Sequence, residues 1–315
     1  MLSNIVQTHL DFIVFMFALL CERFIPLSRL YHPGTFMHGI YSAIGKRIYK
    51  KSEPKSYLYL AATLGAMLPS ILIVIICALV LEFAFYPELL HGCILYFCLE
   101  KQTTINKIKR ITLLCKKNQK SAARELLKPL LAREVKNLSA PGIYKALIET
   151  LILRSARFYF SVITIYLILG PFAALFYRLL TIAQQAWRDD IAPNSHFLKP
   201  VQLILFVFEL IPTRLLALTI ASSKATKNSI HYIKHYGRHF YQTNTGWLLS
   251  CCSAVLGAQL GGPAIYFNQR YNKMRVGTQR LPQAQDILIV INTLNQAFIL
   301  WLLVITAIKI SFAII

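Results

Sequence analysis

A run of 25 residues without a charged side chain, residues 57–81, constrains this chain more than any other feature. The hydrocarbon core of a bilayer is about 30 Å thick and requires about 20 helical residues, so the run is long enough to cross it. Composition supports the same interpretation, because 56% of the residues are hydrophobic and 15% are charged, against roughly 25% charged residues in soluble domains. The sequence therefore predicts an all-α, polytopic transmembrane protein.

Several other apolar stretches are candidates for membrane-spanning helices. Residues 158–177 and 287–308 are the most continuous of them, whereas the remainder contain occasional charged or kinking residues. Glycine and other small residues are frequent in 246–267, a composition that suits a re-entrant or cavity-lining segment. We predict a single integral membrane domain, 1–315, with spans at 5–21, 57–81, 83–99, 158–177, 201–223 and 287–308.

Positive charge is concentrated between the predicted spans. The chain has 34 Lys and Arg against 13 Asp and Glu, and residues 23–55 and 100–157 hold seven and fourteen of these cations. Loops rich in Lys and Arg remain in the cytoplasm and contact anionic lipid. We therefore predict a multi-pass protein of the bacterial inner membrane whose basic loops are cytoplasmic and meet anionic headgroups. Residues 178–200 carry little net charge and are predicted to lie outside.

The segment 100–157 predicts a cytoplasmic helical loop. Apolar residues recur at near-helical spacing between residues 107 and 131, with Lys and Arg between them. This pattern is typical either of a solvated pair of amphipathic helices or of a surface for a membrane or cytoplasmic protein partner. Nucleic acid is not an expected partner, because a nucleic-acid-binding protein can be equally basic but does not need long apolar runs.

Charged and titratable residues at two further places each allow two interpretations. Glu209 and Arg214 are separated by a proline and could pair across a kink, or Arg214 could extend to lipid phosphates. His231, His235 and His239 recur every four residues, a spacing that can bind zinc. Basic and aromatic residues stand among them, so we favour a segment lying on the membrane surface and predict no metal site.

Short motifs, taken in chain order, resemble those of one protein family over nearly the whole chain. They are His-Pro at 32–33, Ile-Gly-Lys-Arg at 44–47, Gly-Ile at 142–143 before Glu149, Gly-Pro at 170–171 with Leu-Phe-Tyr-Arg at 175–178, and Ile-Pro-Thr-Arg-Leu at 211–215. The most specific are Asn-Thr-Gly-Trp at 244–247 and Leu-Gly-Ala-Gln-Leu-Gly-Gly-Pro at 256–263. In these residues the chain resembles the CobD/CbiB membrane proteins of cobalamin biosynthesis and the related AmpE proteins.

The resemblance implies an amide-forming enzyme. Such proteins join a propionate carboxylate of adenosylcobyric acid to aminopropanol or its phosphate, with Mg-ATP, at the cytoplasmic face. A metal-bound nucleotide requires carboxylate oxygen ligands, and its phosphates require cations. The resemblance assigns the catalytic carboxylate to Glu149, with Glu134 as its companion.

This chain departs from the acidic signature of the family, ExxxENxxD, which begins here at Glu149. Leu153, Arg154 and Arg157 stand where the second Glu, the Asn and the Asp are expected. Arginine in place of a carboxylate reverses the local charge and would repel magnesium. The AmpE relatives similarly lack the signature and carry Arg-Phe-Tyr at this point, as residues 157–159 do.

We therefore predict a non-catalytic member of the family. One alternative is an active synthase that uses Mg-ATP, and a second is an AmpE-like regulator of cell-envelope or β-lactamase signalling. The remaining basic groups could hold a corrinoid or another anionic ligand at a glycine turn, or they could anchor helices at lipid headgroups. The predicted anion-binding residues are Arg133, Arg154, Arg157, Arg214, Asn244, Gly261 and Gly262.

Overall fold

A computed structural model of the protein describes residues 10–28, 31–131, 133–136, 138–193, 195–237, 239–240 and 242–314. These residues form two compact units. The first unit consists of residues 1–103 and 157–209, and the second of residues 104–156 and 210–315. Helices dominate both units, which confirms the predicted all-α class.

The helices are numbered here in chain order. They are α1 (Leu10–Phe24), α2 (Pro33–Ile48), α3 (Lys55–Glu82), α4 (Pro87–Cys98), α5 (Gln102–Lys116), α6 (Lys120–Leu127), α7 (Ala140–Ser155), α8 (Ser161–Leu169), α9 (Pro171–Asp190), α10 (Lys199–Lys224), α11 (Thr226–Tyr232), α12 (Thr243–Leu256) and α13 (Ala284–Ile314). The segments Ala156–Phe160 and Ile233–Gly237 are π-helical, and Lys128–Leu130 and His196–Leu198 are short 3₁₀ turns.

Four helical stretches of the described chain are long and apolar enough to cross a membrane. They are Lys55–Glu82, Ala140–Leu169, His196–Ser222 and Ala284–Ser311. Three of them overlap the predicted spans 57–81, 201–223 and 287–308. The fourth overlaps the predicted span 158–177 but begins inside the segment 100–157, so residues 140–157 of this predicted loop belong to an apolar helix. These four helices are the structural basis for treating the chain as a membrane protein.

Two other predicted spans correspond to shorter helices. Residues 83–99 contain α4, whose 12 residues extend about 18 Å at 1.5 Å per residue, less than the thickness of the hydrocarbon core. Of the predicted span 5–21, residues 5–9 lie outside the described residues, and the remainder belongs to α1. The α4 helix packs closely on α1 at Gly92, where an added Cβ would meet the Val14 side chain.

The predicted span 158–177 is a helical hairpin in the structure and not one helix. The chain reverses at Gly170, whose φ of 86° and ψ of 179° lie in a region essentially restricted to glycine. The returning helix α9 packs against α8, and the Tyr177 hydroxyl donates to the carbonyl oxygen of Arg157 at 3.0 Å. Hydropathy could not reveal the reversal, because both arms of the hairpin are apolar.

The end of α9, in the predicted outer segment 178–200, packs against α2, in the predicted cytoplasmic segment 23–55. Trp187 is buried, and its Nε1 donates to the carbonyl oxygen of Tyr41 at 2.7 Å. Farther along, Lys46 Nζ lies 3.9 Å from Asp190 Oδ2. The end of α9 and the α2 helix are therefore neighbours within the first unit.

In the second unit, the segment 246–267 changes from helix to short strands. The α12 helix ends at Gly257, which has a left-handed φ of 58°, and the strands are β1 (Leu260–Gly261), β2 (Ala264–Tyr266), β3 (Gln269–Tyr271) and β4 (Arg275–Val276). The β1 strand pairs antiparallel with β4, and β2 with β3. Arg280 connects the end of α12 to the start of α13, since Nη2 donates to the Leu256 carbonyl at 2.7 Å and to Asp286 at 2.9 Å.

The helices α5 and α6 are amphipathic, as the periodicity predicts. On α5 the apolar side chains of Ile108 and Ile111 are buried, whereas Lys109 and Arg110 are exposed. The α7 helix, in contrast, is apolar on most of its circumference and packs against α12 and α13. This helix supplies the carboxylate around which the candidate site is built.

Candidate functional site

Glu149 lies on α7 with its side chain 14% exposed, and two groups from other segments hold its carboxylate. The Gly261 N–H donates to Oε1 at 2.7 Å, and Arg133 Nη2 lies 3.3 Å from Oε2. Gly261 adopts a left-handed φ of 71° at the end of β1, which turns its N–H toward α7. The structure thus brings Arg133 and Gly261, two of the predicted anion-binding residues, into contact with Glu149.

The anion held by the glycine turn is, however, the protein's own carboxylate. The N–H of the second glycine, Gly262, donates to the Met274 carbonyl at 2.9 Å. Both amides of the turn are therefore engaged within the chain. An external anion would have to bind through side chains and not through these amides.

Two cations flank the turn. A Cβ built on Gly262, whose φ is 93°, would lie 3.1 Å from Lys145 Nζ and 3.2 Å from Arg275 Cγ. Lys145 is four residues before Glu149, so the two side chains share one face of α7, and its ammonium interacts electrostatically with Glu149, Arg133 and Arg275. We name the group Arg133, Lys145, Glu149, Gly261, Gly262 and Arg275 the basic cradle.

The charge of the basic cradle determines its chemistry. Three cationic side chains surround a single carboxylate, which leaves a local excess of positive charge near α7. A guanidinium and a backbone N–H already engage the two oxygens of the carboxylate. The arrangement is suited to binding an anionic group such as a carboxylate or phosphate.

Glu134, the second predicted carboxylate, has a structural role next to the cradle. Its Oε1 accepts the Asn268 N–H at 2.7 Å, and its own N–H donates to the Ile265 carbonyl at 2.9 Å. Glu134 therefore holds the β2–β3 hairpin against the segment that carries Arg133.

Three other predicted residues of the second unit lie outside the cradle contacts. Arg154 Nε lies 3.4 Å from Thr104 Oγ1. The guanidinium of Arg214 stacks over the Trp247 ring at 4.2 Å, a cation–π contact. Asn244 is buried in the first turn of α12.

Arg157 belongs to the first unit, where it forms a buried network. Its Nε and Nη2 donate to the two oxygens of Glu209 at 2.6 and 3.1 Å, and Nη1 donates to Gln184 at 2.9 Å. The Tyr177 hydroxyl donates to Glu209 Oε1 at 3.1 Å. Glu209 thus accepts a bidentate contact from Arg157. Arg214, the alternative partner considered from the sequence, contacts Trp247 instead.

Residues 15–294 match the sequence model of a family described as CobD/Cbib protein. The chain belongs to the CobD/Cbib family.

Two curated relatives of this CobD/Cbib protein are both named Cobalamin biosynthesis protein CobD. The protein from Chromobacterium violaceum is 25% identical over 179 residues, 57% of each chain. The protein from Stutzerimonas stutzeri is 23% identical over 182 residues, 58% of this chain and 60% of the relative. The matches thus span under two thirds of these relatives' own lengths. No solved structure shows a significant match.

The magnesium nucleotide implied by the CobD/Cbib family does not fit the residues of this chain. A magnesium site needs carboxylate oxygens, and both oxygens of Glu149 are already engaged, by the Gly261 N–H and by Arg133. At Glu149 the neighbouring side chains are cations, and Arg157 stands at another position of the acidic signature. We therefore derive no reaction step through magnesium.

Two cradle residues of this CobD/Cbib protein, Lys145 and Arg275, are absent from the sequence-predicted set. The signal for Lys145 is present in the sequence, because a lysine four residues before Glu149 shares its helix face. Arg275 has no such signal, since only the antiparallel pairing of β1 with β4 places it opposite Gly261.

Proposed function

We propose that this CobD/Cbib family member is a multi-pass protein of the bacterial inner membrane that binds an anionic ligand in the basic cradle without catalysing metal-dependent amide formation. The observation that carries the proposal is the engagement of Glu149 by Arg133 and by the Gly261 N–H. Because Arg133 already pairs with Glu149, the positive charges of Lys145 and Arg275 remain to attract anions and repel divalent cations.

The names of the curated relatives indicate the class of ligand. Both are cobalamin biosynthesis proteins, and the resemblance implies corrinoid substrates that carry carboxylate or phosphate groups. Such a group could contact Lys145, Arg133 and Arg275 through charge-assisted hydrogen bonds. We therefore propose a corrinoid or a related anionic metabolite as the ligand.

The buried Arg157–Glu209 pair supports the non-catalytic assignment. An arginine occupies the position at which the family signature has an aspartate, and Glu209 neutralises this arginine directly. The pair also supports the AmpE-like regulator as the second candidate, because the resemblance to AmpE proteins includes Arg157 and an acidic residue at the position of Glu209. In that case the ligand would control a protein partner instead of being converted.

The proposed orientation places α5 and α6 in the cytoplasm. Residues 101–124 contain eight Lys or Arg and no Asp or Glu, a bias typical of cytoplasmic segments. Anionic headgroups of the inner leaflet would then be their neighbours.

Complementation tests the catalytic part of the proposal. In a bacterial strain that lacks its own amide-forming family member, we expect this chain to leave cobalamin-dependent growth unrestored. The Chromobacterium violaceum relative serves as the positive control for expression and medium. Growth restored by this chain and abolished by Glu149→Ala would overturn the non-catalytic assignment.

A binding measurement tests the proposal that the basic cradle holds an anion. Purified protein in detergent is titrated with inorganic phosphate, and Lys145→Gln is expected to weaken binding roughly tenfold, since one charge-assisted contact is removed. Lys109→Gln on α5 is the matched control, because Lys109 is exposed and lies outside the cradle. Equal affinity in the two variants would show that the cradle does not bind the anion.

A further inference from the structure

A second group of unpartnered hydrogen-bond donors lies in the first unit, around Arg178. This arginine is in the second turn of α9, and its side chain is 6% exposed. Nη2 donates to Glu100 Oε2 at 2.6 Å, and the guanidinium lies over the Phe158 ring at 4.5 Å. Nε and Nη1 are buried and have no hydrogen-bond partner in the described part of the chain. Unpaired donors on a buried cation are costly, so these nitrogens are suited to an acceptor that a ligand supplies.

His32 supplies another unpartnered donor. It is the N-cap residue of α2, and its Nδ1 accepts the Gly34 N–H at 2.9 Å. Because Nδ1 accepts, the proton of the neutral imidazole resides on Nε2. That Nε2 is buried without a partner among the described residues. Burial and the charge of Arg178 lower the pKa of His32 to about 4, so the ring is neutral at pH 7.

Helix packing places the two donors next to each other. A Cβ built on Gly34 would lie 3.3 Å from Ile182 Cδ1, and Ile182 follows Arg178 by one helical turn on the same face of α9. Arg178 and Glu100 are also the charged groups that act on His32. The start of α2 thus faces the part of α9 that carries Arg178.

We propose that His32 and Arg178 form a binding site for a carboxylate or phosphate oxygen of an anionic ligand. The unpartnered groups, His32 Nε2 and Arg178 Nε and Nη1, are all donors. A carboxylate or phosphate oxygen accepts several hydrogen bonds and donates none, whereas a water molecule would need acceptors for its own two hydrogens. Glu100 accepts the hydrogen bond from Nη2 and balances the charge of Arg178. Nε and Nη1 remain to donate to the ligand.

Two conservative substitutions separate ligand binding from folding. His32→Asn removes the Nε2 donor but retains a side chain that caps a helix N-terminus well. Arg178→Lys retains the positive charge beside Glu100 and removes the guanidinium donors. Both are made in a Lys145→Gln background, so that binding at the basic cradle is weakened equally in every protein compared.

The measurement is the thermal unfolding midpoint in detergent during titration with acetate or inorganic phosphate, against chloride at equal ionic strength. At about ten times the dissociation constant, the Lys145→Gln protein is expected to show a saturable rise of roughly 2–4 °C that is absent in both double variants. The stronger of the two probes identifies carboxylate or phosphate as the preferred group. An equal rise in the double variants, an equal rise with chloride, or no rise in the Lys145→Gln protein would overturn the proposal. Loss of phosphate affinity in Lys145→Gln alone concerns the cradle and leaves this site unaffected.

Discussion

Arg157 and Glu209 show how buried charge is compensated at the scale of single residues. The Glu209 side chain is 8% exposed and that of Arg157 is 25% exposed, so water contributes little to the solvation of either group. The bidentate contact, the hydrogen bond that Arg157 donates to Gln184 and the one that Glu209 accepts from Tyr177 replace it. A buried pair of this kind contributes little net stability, but the loss of one partner leaves an uncompensated charge.

Glu209→Gln is therefore expected to destabilise the protein by roughly 2–4 kcal/mol, since Arg157 would remain buried with a neutral partner. Equilibrium unfolding in detergent with increasing denaturant measures the difference from the wild type. The double variant Arg157→Met, Glu209→Leu should recover most of the loss, because it removes both charges and retains side-chain volume. Additive losses in a double-mutant cycle would mean that the two residues do not interact.

The candidate site was predictable from the sequence to the extent that short motifs carried it. Glu149 and the glycine turn belong to motif segments, and the structure places them together with Arg133. The partner of Glu209 was not predictable, because Arg157 is 52 residues away and Arg214 is a nearer cation in the sequence. Proximity along a chain favours a local pair, but here the packing of helices selects the distant one.

At the scale of elements, Gly170 decides the path of the apolar chain. The sequence contains the signal for a break, Gly-Pro at 170–171, but a 20-residue apolar run around it has the length of a single span. Apolar composition indicates that a segment is buried away from water, but it does not indicate whether the backbone continues straight or turns back. The reversal depends on a backbone conformation that only glycine adopts easily.

Gly170→Ala is expected to destabilise the hairpin by about 1–3 kcal/mol, because a Cβ is strained at a φ of 86° and a ψ of 179°. The unfolding midpoint in detergent is the measurement. Gly39→Ala provides the comparison, since Gly39 lies inside α2 with no atom within 4 Å of an added Cβ. That variant should be neutral or stabilised by up to about 1 kcal/mol. A similar loss in both variants would mean that the added methyl group, and not the backbone conformation of Gly170, causes the effect.

At the scale of the whole molecule, composition was sufficient for the class but not for the sidedness. The apolar runs predict a helical membrane protein, and the structure has four helices of sufficient length among its described residues. Charge counting assigned residues 178–200 to the outside because Arg188 is offset by Asp189 and Asp190. The contacts of α9 with α2 favour one side for both segments, because Trp187 contacts Tyr41 and Asp190 lies near Lys46.

Cysteine labelling can test this sidedness in intact membranes. Lys46→Cys and Asp190→Cys are introduced separately into a protein whose native cysteines are replaced by Ser or Ala. Because Lys46 and Asp190 lie at a distance of 3.9 Å between Nζ and Oδ2, both thiols should react with a membrane-impermeant maleimide from the same face of the membrane. We expect that face to be cytoplasmic, since residues 23–55 carry seven cations. Labelling of the two positions from opposite faces would be incompatible with the hairpin and with the packing of α9 on α2.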